Sequence, residues 1–174
     1  MFVGSRREAA SKAEAYQQLH AQVAALLRGE RDGLANFANV AALLYEALPS
    51  LNWAGFYLLR GTELVLGPFQ GKVACVRIAL GRGVCGAAAV QRKSLVVPDV
   101  HAFPGHIACD SASRSELVVP LLRGDVLYGV LDLDSPEPSR FDAEDAAGLE
   151  AIATLLLASS DLSRLSDGAG PERP

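Results

Sequence analysis

Residues Glu116–Asp134 read ELVVPLLRGDVLYGVLDLD, two apolar runs on either side of Arg123-Gly124-Asp125. Glu116 to Leu122 and Val126 to Asp134 read as strands, and the intervening residues as the turn of a β-hairpin. Side chains alternate along a strand, so Asp132 and Asp134 fall on one face of the second arm. Glu116 lies at the start of the paired arm.

Other short strands surround this hairpin in the pattern. Trp53 to Leu59 and Glu63 to Leu66 flank the turn residues Gly61 and Thr62, and Val76 to Leu80 and Leu95 to Val97 add two more. Between these, the alanine-rich Gly83 to Val90 fits a short helix. Upstream, Tyr16, Leu19, Val23 and Leu26 recur at helical spacing, as do Leu34, Phe37, Ala41, Leu44 and Leu48. Gly29 and Gly33 separate these two helices, and Asp32 is placed to cap the second. Downstream, Asp142 is placed to cap a last helix through Leu149, Ile152, Leu156 and Leu162. Residues 98–115 hold Pro98, Pro104, Gly105 and serines without periodicity, a long loop of the kind that carries function. The order predicts an α+β domain with a central antiparallel sheet of about six strands flanked by helices. Residues 1–33 are expected as an N-terminal helical segment, 34–162 as the main domain and 163–174 as a frayed tail.

The chain has 174 residues, 50% of them apolar, 21% charged, and a net charge of −4. This is globular composition, sufficient for one core without a metal or disulfide staple. The acidic balance offers no field for phosphate backbones, so nucleic acid is not an expected partner. Met1 to Arg7 has no apolar signal core, and no stretch approaches the ~20 apolar residues of a membrane helix. The expectation is a cytoplasmic protein with no membrane partner, whose thiols are kept reduced except where a disulfide is transient and catalytic.

Three cysteines, Cys75, Cys85 and Cys109, form no close-spaced pair. Zinc sites bring such pairs, so even with His106 three residues before Cys109 a metal is not expected. Burial as small hydrophobes competes with redox use. Local setting favours redox use: Cys109 lies in the Pro/Gly/Ser loop, and Lys72, Arg77 and Arg82 near Cys75 and Cys85 are expected to lower thiol pKa values. A thiolate with a second thiol at hand permits sulfenic acid to condense to a disulfide. The carboxylates of Glu116, Asp132 and Asp134 should repel one another and hold at least one proton near neutral pH. The alternative is that the aspartates are solvated at a strand end. Trp53 and Tyr57 share a strand face, as core or, if they face these acids, as a pocket wall.

Asn52-Trp53-Ala54-Gly55-Phe56-Tyr57, Leu66-Gly67-Pro68-Phe69-Gln70-Gly71, Gly81-Arg82-Gly83-Val84-Cys85-Gly86, Val97-Pro98-Asp99-Val100 and Phe103-Pro104-Gly105-His106-Ile107-Ala108-Cys109-Asp110 closely resemble the free methionine-(R)-sulfoxide reductases, which are built on a GAF domain. The resemblance runs from about residue 35 to residue 160, and the closing Arg140-Phe141-Asp142-Ala143-Glu144-Asp145 is similar to the end of GAF domains in general. It implies Cys109 as nucleophile, Cys75 as main resolving thiol and Cys85 as a second thiol, with Trp53, Tyr57, Glu116, Asp132 and Asp134 lining a substrate pocket. No cofactor is implied. The implied partners are free methionine-(R)-sulfoxide, thioredoxin or a similar dithiol reductant, and a second copy of the chain in a homodimer. The competing expectations are a non-enzymatic GAF sensory module and a cysteine redox sensor.

Overall fold

The computed structural model describes residues 11–107, 110–163 and 165. In chain order the elements are α1 (Lys12–Leu26), α2 (Gly33–Ala47), β1 (Trp53–Arg60), β2 (Glu63–Gly71), β3 (Arg77–Ala79), α3 (Gly83–Gln91), β4 (Leu95–Val97), β5 (Ser115–Arg123), β6 (Val126–Ser135) and α4 (Ala143–Ser159). The strands form one six-stranded antiparallel sheet in the order β3-β2-β1-β6-β5-β4. The hairpin read from the sequence is β5 and β6, and its strands lie inside the sheet. A 3-10 turn, Val100–Ala102, interrupts the long loop before β5.

Alternation sorts the sheet into two faces. Ala54, Phe56 and Leu58 of β1, Leu117, Val119 and Leu121 of β5, and Leu131 and Leu133 of β6 enter one core with Phe37, Leu44, Leu149, Ile152 and Leu156 of the helices. Tyr16 of α1 joins that core and lies against Gly148 of α4, where an added Cβ would meet its ring at 2.2 Å. The opposite face carries Trp53, Tyr57, Val118 and Val130, covered by Val84, Cys85, Ala88 and Ala89 of α3.

Helix starts follow the capping chemistry. The Asp32 side chain accepts from Ala35 N, and Asp142 and Asp145 form a reciprocal capping box at α4. Two boundaries differ from the periodic reading. β2 continues past Leu66 to Gly71 because Gly67 and Pro68 fall at a register shift opposite Gly55/Tyr57, where proline need not donate to a ladder. α4 ends at Ser159 rather than running through Leu162: the buried Ser160 leaves the helix and its Oγ accepts from Asn36 Nδ2 at 3.1 Å. Leu162 still reaches the core from the irregular segment that follows. Of the expected frayed tail, 163–174, Leu165 is buried in the same core, and residues 164 and 166–174 lie outside the described residues. Among those described, no helix is long and apolar enough to cross a membrane.

Candidate active site

The sheet register decides which side chains meet on the α3 face. Trp53 of β1 is opposite Asp134 of β6, which is opposite Glu116 of β5, so one row across three strands holds an aromatic ring and two carboxylates. The neighbouring row places Gly55 opposite Asp132 and Asp132 opposite Val118, and Tyr57 follows opposite Val130. The aromatic pair therefore faces the acids. A cavity of about 40 Å³ sits over these rows, bounded by Trp53, Tyr57, Glu116, Asp132 and Asp134, with Val73, Ala74, His106 and Asp110 among the loop residues around it.

Trp53 is held on three sides. Its ring stacks at 5.8 Å on Tyr57 and at 5.4 Å on Phe69, and its Nε1 donates to Lys72 O at 3.2 Å. Glycine at position 55 makes room for it: a Cβ there would stand 2.7 Å from Trp53 Cη2 and 2.3 Å from Phe69 Cβ. Gly71, at φ +123°, allows the chain to turn over the same ring, where a Cβ would meet Asn52 O at 2.6 Å. The Tyr57 hydroxyl donates to Cys75 O at 3.1 Å, fixing the β2–β3 connector over the cavity. Burial, then the charges of Asp132 and Cys85, push the Tyr57 pKa up, so it remains a donor.

Glu116 and Asp132 are each only 6% exposed, and Asp134 is half-buried. Burial foremost, then the neighbouring Asp132, holds Glu116 and Asp134 well above the usual carboxylate range. Burial pushes Asp132 up to about 7, against the opposing hydrogen bonds with Cys85 and Glu116. The cluster therefore retains protons near neutral pH, and the solvated strand-end alternative does not describe these acids. Burial contributes more than the mutual repulsion on which the sequence reading relied.

The two described cysteines occupy different settings. Cys75, partly buried in the β2–β3 connector, is held in a disulfide. Cys85, in the first turn of α3, is free and buried, with Sγ 3.9 Å from Glu116 Oε1. The expectation that nearby cations lower its pKa is corrected: burial, then Asp132 and Glu116, push the Cys85 thiol well up. The backbone aims this side chain into the acid cluster rather than toward Arg82. Cys109, expected as the nucleophile, lies outside the described residues.

Several site residues had no assignment from sequence. His106 Nε2 lies 3.8 Å from Glu116 Oε2, and burial, then His101, lowers its pKa, so this contact is not an ion pair at neutral pH. Asp110 is the anion of the mouth. It accepts from Ala112 N and the Asn52 amide and pairs with Lys72 Nζ at 3.3 Å, contacts that hold its pKa low. Asn52 also donates to Ser113 Oγ at 2.9 Å, tying the start of β1 to the loop before β5. These residues sit in irregular segments, where no periodicity marks a face. Their only signal was that Asn52, His106 and Asp110 fall within the stretches quoted above.

The family profile described as GAF domain matches residues 13–158. The chain is 53% identical over 146 residues to the free methionine-R-sulfoxide reductase of Escherichia coli (strain K12), covering 84% of this chain and 88% of that protein. Among solved structures, it is similar to the free methionine-R-sulfoxide reductase of Neisseria meningitidis in complex with its substrate, with 45% identity, a TM-score of 0.85, and coverage of 90% and 95% of the two chains. It is also similar to a putative GAF sensor protein from Burkholderia vietnamiensis, at 59% identity, TM-score 0.84, and coverage of 87% and 96%.

Proposed function

Because this chain belongs to the free methionine-R-sulfoxide reductases of the GAF domain family, we propose that it reduces free L-methionine-(R)-sulfoxide to methionine with its own thiols. One observation carries this reading: three proton-holding acids face an aromatic wall in a cavity whose cover contains a disulfide-bonded cysteine. An acidic, largely closed pocket suits the ammonium group of a free amino acid. A peptide-bound sulfoxide has no ammonium to offer there. The Trp53 ring offers a packing surface for the S-methyl group.

The Cys109 thiolate attacks the sulfoxide sulfur while a protonated carboxyl of the cluster gives its proton to the oxygen. The protonated oxygen passes from the substrate sulfur to the Cys109 sulfur, the newly formed S–S bond breaks with its electron pair returning to the methionine sulfur, and methionine leaves as the thioether while Cys109 is a sulfenic acid. Cys75 then attacks that sulfur, water leaves, and a disulfide forms. A dithiol protein of the thioredoxin class, in a reducing compartment such as the cytoplasm, returns both thiols and is itself oxidised. The disulfide at Cys75 and the free state of Cys85 support Cys75 as the preferred resolving thiol. Cys85 is the reserve, with its raised pKa making it a slow attacker. Only the R epimer directs its oxygen at the acids while showing sulfur to the nucleophile. The homodimer is retained as the assembly of this enzyme.

The test is turnover of free R and S epimers and of a peptide-bound sulfoxide with dithiothreitol, in wild type and Cys109→Ser. The proposal requires activity on the free R epimer alone and its loss in the variant. A sensory module would bind without turnover, and undiminished turnover by Cys109→Ser would exclude the assigned nucleophile.

A further inference from the structure

We propose that Cys85, Glu116 and Asp132, with His106 as a fourth donor, form a binding site for a borderline-soft divalent cation of the zinc class, and that the bound ion blocks the acidic pocket. The blocking role rests on the function proposed above; the binding does not.

The donors are assembled by the fold. Cys85 comes from α3, Glu116 from β5 and Asp132 from β6, all buried, with one ligand atom from each lying within 4.8 Å of the other two. Glu116 is the bridge between the other donors: its Oε1 is 3.9 Å from Cys85 Sγ, and its Oε2 is 3.8 Å from His106 Nε2. A second, independent observation points to a ligand. Asp132 Oδ1 is buried and has no hydrogen-bond partner among the described residues. A buried carboxyl oxygen without a hydrogen-bond partner is costly in either protonation state, and a cation at the centre of this cluster would relieve that cost.

The geometry suits zinc. With Zn–S near 2.3 Å and Zn–N or Zn–O near 2.0–2.1 Å, tetrahedral donors stand roughly 3.3–3.6 Å apart. Cys85, Glu116 and Asp132 need contraction by about an ångström, within the reach of their side-chain torsions, and His106, which lies beside Glu116 and outside that trio, swings further in to complete the tetrahedron. A sulfur, an imidazole nitrogen and two carboxylate oxygens favour zinc or cobalt over magnesium or calcium, which prefer oxygen alone. The sequence argument against zinc concerned close-spaced cysteine and histidine pairs, and these donors contain none. They meet through strand register and the packing of α3 on the sheet. The ion displaces the Cys85 thiol proton and any carboxyl protons it meets, so binding weakens as pH falls. It places two positive charges where the substrate ammonium is proposed to sit.

The experiment uses the full chain in its disulfide form, in which Cys75 does not compete as a thiolate. Titration with cobalt(II) chloride is followed by absorption, then zinc chloride is added. The expected result is one equivalent of cobalt bound with thiolate-to-cobalt charge transfer and tetrahedral d–d bands, bleached by zinc. Cys85→Ser is expected to lose the charge-transfer band, and Asp132→Asn to weaken binding at least tenfold, with circular dichroism verifying the fold of each. His106→Gln, at a partly buried loop position, is a milder variant and is expected to change the d–d spectrum. No charge-transfer band in wild type, or the same band in Cys85→Ser, overturns the site. The blocking role is read separately, on fully reduced protein freed of small-molecule dithiols: zinc is expected to raise the sulfoxide concentration that half-saturates a single turnover, in wild type and not in Cys85→Ser, and an unchanged single turnover with metal bound overturns the blocking role. A protein that binds cobalt through Cys85 but reduces no sulfoxide would refute the functional proposal and not this site.

Discussion

Replacing Asp132 by asparagine should make the substrate-free fold more stable at alkaline pH while damaging catalysis. Asp132 has an ordinary pKa of 3.8 that burial raises to about 7 in the folded chain. Between these values the folded state binds a proton that the unfolded chain has released, so stability falls as pH rises. The favourable contribution is fully present below pH 3.8 and is lost as pH passes through about 7. At about 1.4 kcal/mol for each pH unit, the complete loss is roughly 4 kcal/mol, an upper figure because Glu116 and Asp134 share the proton load. Asparagine cannot ionise and removes this slope. The assay is equilibrium urea unfolding of the disulfide forms of wild type and Asp132→Asn at pH 5 and pH 8. The variant is expected to gain about 1–3 kcal/mol relative to wild type on going from pH 5 to pH 8, or several degrees in Tm for a chain of this size. A difference independent of pH, or one favouring wild type more strongly at pH 8, would refute the placement of a proton-holding carboxyl in this cavity.

Glu116→Gln should lower kcat/KM for the free sulfoxide by orders of magnitude; a change within about threefold, ~0.6 kcal/mol, removes Glu116 from the mechanism. Cys75→Ser should leave a single turnover nearly intact and slow recycling, and steady-state rates equal to wild type would assign the whole resolving step to Cys85. Gly55→Ala forces a Cβ to within 2.7 Å of Trp53 Cη2, so it should cost about 1–3 kcal/mol and raise KM. Fluorescence reads this displacement directly because Trp53 is the sole tryptophan, and an unshifted spectrum with an unchanged KM would contradict it. Asp145, 1% exposed, accepts from Tyr16, Arg140, Lys12 and its own N-cap, so Asp145→Ala should destabilise by about 3–5 kcal/mol. A loss below about 1 kcal/mol in thermal unfolding would show that this network is not holding α1 to α4.

Alternation made the central part of the molecule legible before any coordinates. Period two along β5, β6 and β1 assigned Glu116, Asp132, Asp134, Trp53 and Tyr57 to faces, and the hairpin turn paired two of those strands. Adjacency of β1 to β6 is a long-range pairing that no local pattern encodes, yet it is what brings Trp53 opposite Asp134. Thiol chemistry was least legible at Cys85. The sequence neighbour Arg82 suggested a thiolate, but the first turn of α3 directs the side chain against Glu116 and Asp132, where burial opposes ionisation. Proximity along the chain is a poor guide to the field at a buried atom. The same limit explains Asp110 and Ser113, which meet Asn52 only because the loop folds back over the start of β1. The end of α4 was overrun because Leu162 continues the helical spacing, while the bond from Asn36 to Ser160 stops the helix.

The most direct test of the proposed chemistry is mass spectrometry of the fully reduced protein after one equivalent of free methionine-(R)-sulfoxide, with alkylation of remaining thiols. One equivalent of methionine, a loss of two hydrogens from the protein, a Cys75–Cys109 linkage and an alkylated Cys85 are expected. Unchanged sulfoxide, or methionine formed with Cys109 still alkylatable as a thiol, would contradict it.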